Sequence, residues 1–352
     1  MNNCKIYSLE IKSVIKKTFC TVILFCTSFT LMAVDNEKIK AALNEGEVAI
    51  AKELFTNLDK SQKISFSGRL LTSRILFREN RIEESYDLLE QLIAEQKDNA
   101  DAHYYFGRSA VVMAQQVSLF SKLSYANSGL EAWQQALSLN PEHIKTLEGI
   151  IGFHIGAPSI AGGDIEKALS YSQILVKLDP EKGYANLARV YWQKEQHDLA
   201  EKTITDGLNS LPNSSPLYLT QGLAYIRQAQ DNGELWTKAR MSLNNAVTHA
   251  KSTKEKQHAL YQLGKVAVNS GEETQAGIEA LEQLLALKTE QYQQWGRYRL
   301  AELYLNTNQF DKANIHITQV DYQEDDTLED EVKGLAKKIR KAIKKHRKNK
   351  AS

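Results

Sequence analysis

Three observations predict an all-α solenoid, a stack of helix-turn-helix units closed by a terminal helix. Small and apolar residues recur at intervals near 34 residues over residues 34–327. Proline is scarce, five in 352 residues, which permits successive long helices and disfavours a turn-rich sandwich or barrel. Past residue 327 the repeat gives way to one apolar stripe, the pattern of a helix that seals the end of a stack. Hydrophobic residues make up 42% and charged residues 25%, a globular composition.

Residues 1–33 are set apart from the rest. Lys5, Lys12, Lys16 and Lys17 precede an uncharged run from Thr18 to Val34, and Asp35 ends it. A basic start, a short apolar stretch and a small residue, Ala33, describe a secretory signal peptide. A periplasmic location is therefore expected, after cleavage. Leu31 departs from the small residue usual at its position, so an uncleaved inner-membrane anchor is the alternative. All three cysteines, Cys4, Cys20 and Cys26, lie in this segment. The body of the chain has no thiol for disulfide, metal or redox chemistry. Without residues 1–33 the chain carries 40 basic and 42 acidic residues, formally −2, so no global field draws it to nucleic acid.

The repeat is clearest from Glu181 to Ser214. Tyr184, Leu187, Ala188 and Tyr191 are followed by Ala200, Ile204, Gly207 and Pro212. Small residues at Ala188, Ala200 and Gly207 let two antiparallel helices approach closely, while Leu187, Tyr191 and Ile204 fill the space between them. Pro212 cannot continue the second helix. The phase returns in other units. Gly222 and Tyr225 precede Ala239, Leu243 and Ala246; Leu263-Gly264 opens residues 257–291, whose second helix can be phased in more than one way. Leu300, Ala301 and Tyr304 precede Ala313, Ile317 and Val320. Phe106-Gly107 precede Trp133, Ala136 and Pro141 with about ten extra residues between. At the front, Ala51, Phe55 and Leu58 recur as Ser85, Leu89 and Leu92; residues 142–180 match most loosely, through Ala168 and Pro180.

This pattern resembles the tetratricopeptide repeat (TPR), position by position in the clearest unit and as an ensemble over residues 34–327. The resemblance implies a TPR-type right-handed α-solenoid of about eight repeats, followed by an amphipathic capping helix and basic tail over 328–352. It also implies a protein–protein interaction scaffold that binds along the surface formed by the first helix of each repeat. Carrying those helix positions over places Arg74, Arg78, Tyr104, Arg108, His154, Arg189, Trp192, Arg227, Tyr261, Lys265 and Tyr298 towards the groove, with Glu302 as the one clear acid among them. Arginine forks onto carboxylates and the aromatic rings are rigid anchors, so the expected partner is a protein or acidic peptide.

The segment Gly156 to Asp164, Gly-Ala-Pro-Ser-Ile-Ala-Gly-Gly-Asp, replaces a short inter-helix turn. Pro158 is expected to end the first helix, Gly162 and Gly163 to supply positive φ, and Asp164 to cap the next helix. A glycine-rich loop beside His154 and Lys167 also suits a small anion. The element resembles an A-P-x-I-A-G-G stretch of bacterial exported TPR proteins, which implies an envelope setting. In the last segment Leu328, Val332, Leu335, Ile339 and Ile343 form the apolar stripe, and ten Lys or Arg follow from Lys333 onward. That basic face is the second candidate surface, for anionic lipid or another polyanion.

Catalytic signatures are lacking. Gly264-Lys265 has neither the upstream glycine nor the following Ser or Thr of a phosphate loop. There is no G-x-S-x-G elbow, H-E-x-x-H or Cys/His cluster. No enzyme activity, cofactor, metal or small-molecule substrate is expected.

Overall fold

The computed structural model describes residues 36–229, 232–287, 292–322 and 325–351. The expected signal segment, residues 1–33, lies outside them. Apart from one 3-10 turn, every regular element among the described residues is an α-helix. The chain divides into two compact units, one ending at Lys97 and the other starting at Asp98.

The first unit contains α1 (residues 36–45), α2 (Val48–Thr56), α3 (Lys60–Ile64), α4 (Phe66–Arg78) and α5 (Ile82–Glu95). Ile39, Leu43, Ala51, Leu71 and Ile75 form its core. Asp59 starts α3 with a capping box, accepting from the Gln62 N–H while the Gln62 side chain accepts from the Asp59 N–H. Those bonds, led by the Ser61 hydroxyl, hold the Asp59 carboxyl below its usual range. Between α4 and α5 the buried Ser85 hydroxyl donates to the Ser73 carbonyl at 2.9 Å.

The second unit continues with α6 (Ala100–Gln116), α7 (Leu119–Leu139), α8 (Ile144–Gly156), α9 (Ile165–Leu178), α10 (Pro180–Gln193) and α11 (His197–Ser210). Then follow α12 (Ser215–Gln228), α13 (Leu235–Thr248), α14 (Thr253–Ser270), α15 (Thr274–Ala286), α16 (Gln293–Asn306), α17 (Phe310–Thr318) and α18 (Asp326–Ala351). Starts are set locally. Asn99, Asp164, Asp179, Ser214 and Ser252 each cap a first turn with a side-chain oxygen, and Pro180 and Pro216 sit where the backbone N–H has no helical partner.

Each even-numbered helix packs on the odd-numbered one that follows it, and the seam is made by small residues. A Cβ on Gly107 would lie 2.7 Å from the Trp133 ring, and one on Gly264 would lie 2.4 Å from Leu281 Cγ. Larger residues at these two positions would hold the helices apart. The even-numbered helices also approach one another from pair to pair, α6 to α8, α8 to α10, and on to α16 and α18, whereas the odd-numbered helices make no comparable approach. A stack held closer along one side curves towards that side, so within this unit the first helices line the inner face. With α1–α2 and α4–α5, eight helix pairs are described.

The extra residues between Gly107 and Pro141 are not a loop. They lengthen α6 and α7 to 17 and 21 residues, joined by Val117 and Ser118 alone. The ambiguous second helix of residues 257–291 is α15, which follows left-handed residues at Gly271 (φ +68°) and Glu273 (φ +50°). Finally, α18 closes the stack. Leu328, Val332, Leu335 and Ile339 are buried in a core shared with Tyr298, Leu300 and Tyr304, and Ile343 packs at its margin.

Candidate functional site

On the inner face of the second unit, α10 and α12 bring Arg189 and Arg227 together. Both are exposed. The guanidinium of Arg189 nevertheless lies below the ordinary arginine range, chiefly through desolvation and then through repulsion from Arg227, with Glu148 opposing both. A side chain that water touches but protein surrounds is what a concave surface produces. Arg189 donates to Asn186 Oδ1 at 3.1 Å, and the Asn186 amide in turn donates to the Lys182 carbonyl at 2.9 Å. Lys182 pairs with Glu148 at 3.0 Å. No described carboxylate forms an ion pair with Arg189 or Arg227. Trp192, one turn after Arg189, is half-buried, and its indole N–H has no acceptor among the described residues. This part of the surface is rich in donors and poor in acceptors.

A second cluster spans α14, α16 and α18. Tyr261 stacks on Tyr292 (centroids 4.7 Å apart, 16° between planes), and His258 stacks on Tyr292 at 5.6 Å. Lys265 lies 5.9 Å from the centre of the Tyr261 ring, its ammonium destabilised by desolvation and by Arg299. Arg299 sits 5.1 Å from the Tyr298 ring and 5.9 Å from Trp295, and its ion pair with Glu302 is 2.7 Å long. Desolvation pulls its pKa down, but Glu302 outweighs that and the net shift is upward. Tyr298 donates to Glu331 of the capping helix at 2.8 Å. Burial and that bond push the phenol well above its usual range. Arg299 is thus paired to a carboxylate, unlike Arg189.

The other expected residues fall elsewhere. Arg74 is buried in the first unit and donates to Asn44 Oδ1 at 3.0 Å, while Arg78 donates to the Leu43 carbonyl at 3.0 Å. Both tie α4 to α1. Tyr104 packs edge-on to Tyr105 and beside His143, and Arg108 is half-buried one turn later on α6. His154 is buried at the end of α8, bonded through Nδ1 to the Gly162 carbonyl at 3.0 Å and stacked on Tyr171. Its loop is a structural turn. Gly162 has φ +90°, and Asp164 accepts from the N–H groups of Glu166 and Lys167. Gly163 corrects the expectation of positive φ. It is glycine because a Cβ there would lie 1.8 Å from the Ala157 carbonyl oxygen.

Sequence reasoning missed Arg299, Trp295, Tyr292, His258 and Glu331. Arg299 had one local signal, the i, i+3 spacing to Glu302. Glu302 is also not alone as an acid, since Glu148 and Glu331 join the same two clusters.

Burial holds His154, His258 and His316 below the ordinary histidine range, with Lys254 and Lys265 adding to the effect at His258 and Arg297 at His316. The unfolded chain takes up these protons near pH 6.5, before the folded chain does. Unfolding therefore binds protons, and stability falls as the pH drops through that range. The urea midpoint is expected to be lower at about pH 5.5 than at about pH 7.5. His154→Phe, which preserves the stack on Tyr171, should weaken this dependence.

Among the described residues no group of His, Cys, Asp and Glu is placed to hold a metal ion, and no helix is long and apolar enough to cross a membrane. The tetratricopeptide repeat family matches residues 181–210. No curated protein matches the chain. Among solved structures, the human IFIT1 dimer with PPP-AAAA is similar at a TM-score of 0.53 and 16% identity, over 88% of this chain and 74% of that one. Yeast Tom70 is similar at 0.53 and 11% identity, over 83% of this chain and 66% of that one. A tetratricopeptide repeat protein from Parabacteroides merdae ATCC 43184 scores 0.48 at 12% identity, over 77% of this chain and 98% of that one. At such identities the first two likenesses establish the fold alone. Residues 181–210 match the tetratricopeptide repeat, and the chain folds as a TPR-type α-solenoid.

Proposed function

We propose that this chain is a non-catalytic protein–protein interaction scaffold, exported to the bacterial envelope, whose inner face at α10 and α12 binds an acidic stretch of a partner protein. The observation that carries the reading is the pair Arg189 and Arg227, two exposed cations on the contacting helices α10 and α12 with no described carboxylate paired to either; Arg189 is itself desolvated and repelled by Arg227. Their mutual repulsion is relieved when an anion enters, so binding gains more there than at an isolated surface arginine. Trp192 adds an unsatisfied donor and a rigid ring on the same face. Export rests on the basic start and apolar run of residues 1–33. A cleaved amino terminus near Val34 in protein recovered from cells would support it; retention of residues 1–33 in the membrane fraction would assign the uncleaved anchor instead, and uncleaved protein in the cytosolic fraction would sink it.

The groove is tested by placing a photo-crosslinker at Trp192 in the full-length protein in its native cells and comparing wild type, Arg189→Glu/Arg227→Glu, and deletion of residues 337–352. One specific partner is expected to crosslink to the wild type and to the deletion, with its yield falling at least about tenfold in the double variant. A partner unaffected by the double variant, or lost only with the tail, would overturn the proposal.

A further inference from the structure

The solvent face of α18 is a separate surface. No acidic residue follows Glu331. Of the ten cations from Lys333 onward, Lys333 pairs with Glu329 at 2.6 Å. The others begin at Lys337 and run to Lys350 along an exposed stretch of helix. Cations at a helix C-terminus complement its dipole, but that effect fades within the last turn. Lys337, Lys338, Arg340 and Lys341 lie well before it.

The same end of the molecule holds a recess of about 410 Å³ between the start of α17 and the end of α18. Phe310 and Ile343 are the apolar part of its lining, and His346 stands edge-on to Phe310 at 5.3 Å. Lys312, Arg347 and Lys350 line it together with one acid, Asp311. None of these three cations forms an ion pair with a described residue. The volume is within the usual range for a small-molecule pocket.

We infer that α18 docks on an anionic phospholipid surface and that the recess receives one phosphorylated headgroup. Two features favour a lipid surface over a nucleic acid. A single recess with cations and two apolar side chains in its lining fits one headgroup better than a continuous phosphate backbone. The chain as a whole, formally −2 without residues 1–33, offers no general attraction for a long polyanion. Because Leu328, Val332, Leu335 and Ile339 are buried in the core, α18 has no apolar stripe left to lay into the bilayer. The contact is therefore electrostatic, reversible and sensitive to salt.

The test is co-sedimentation of the full chain with vesicles of phosphatidylcholine alone and of phosphatidylcholine with about 30% phosphatidylglycerol. Binding is expected only to the second, and to fall at least about tenfold between roughly 0.05 and 0.3 M NaCl. Lys312→Ala/Arg347→Ala/Lys350→Ala should weaken it at least about tenfold, with helix content by circular dichroism unchanged. Lys337→Glu/Lys341→Glu/Lys344→Glu, outside the recess, should weaken it as well. Equal binding to both vesicle types, or no binding to either, overturns the inference. Titration of inorganic phosphate into the recess without any vesicle binding also overturns it, assigning the site to free phosphate. Tighter capture of duplex DNA than of vesicles does the same, assigning the face to nucleic acid.

Discussion

Replacing Trp133 with alanine is expected to destabilise the α6–α8 region by about 3–5 kcal/mol, the usual cost of deleting a buried aromatic side chain. Trp133 is 5% exposed, fits against Gly107 and Gly149, and meets the Phe153 ring edge-on at 6.3 Å. Its indole N–H donates to the Tyr104 carbonyl at 3.0 Å. The alanine variant leaves a cavity and loses that hydrogen bond. Trp133→Phe keeps most of the volume and is expected to lose about 1 kcal/mol through the hydrogen bond. In a stack whose pairs contact only their neighbours, the damage stays local. Hydrogen exchange should accelerate across α6–α8 and change little in α14–α18. Uniform acceleration along the whole chain would mean that the stack unfolds as one unit.

The second large effect is expected at the opposite end. Ile339 is fully buried beneath α18, and Ile339→Asp would place a carboxylate there with no described cation paired to it. Burying such a group costs several kcal/mol, enough to release the capping helix and uncover the core around Leu300 and Tyr304. Trypsin is the natural probe, because α18 is dense in lysine. Cleavage after Lys337 and Lys338 should quicken at least about tenfold, the expectation for local opening. Lys345→Glu, on the exposed face, should leave the rate nearly unchanged. Equal rates for both variants would show that Ile339 does not secure α18.

The stack was legible in the sequence because its seams are written in short-range terms. Gly107, Ala188, Gly222 and Gly264 recur where helices must approach, and the stripe from Leu328 to Ile343 announces the cap. The cap at Asp164 was also readable, since a side chain two or three residues from the amides it binds needs no tertiary information. What escaped depends on distant partners. Arg74 and Arg78 occupy first-helix positions, but their arms reach back some thirty residues to α1. Arg299 became central only when Tyr261 of α14 met it beside Tyr298, Trp295 and Glu302 of its own helix. Gly163 misled for a different reason: its lack of a side chain serves a close carbonyl, not a left-handed turn.

The closer approach of the even-numbered helices has a mechanical consequence. When a beam is fastened more tightly along one side, bending leaves that side nearly constant in length and stretches or shortens the other. In the second unit the fastened side carries Arg189 and Arg227. Flexing would change the spacing of the odd-numbered helices far more than the separation of the two arginines. Bending of the unit would therefore be taken up on its outer surface, like a caliper with a fixed gauge on its inner edge, and the distance between the two charges would stay nearly constant.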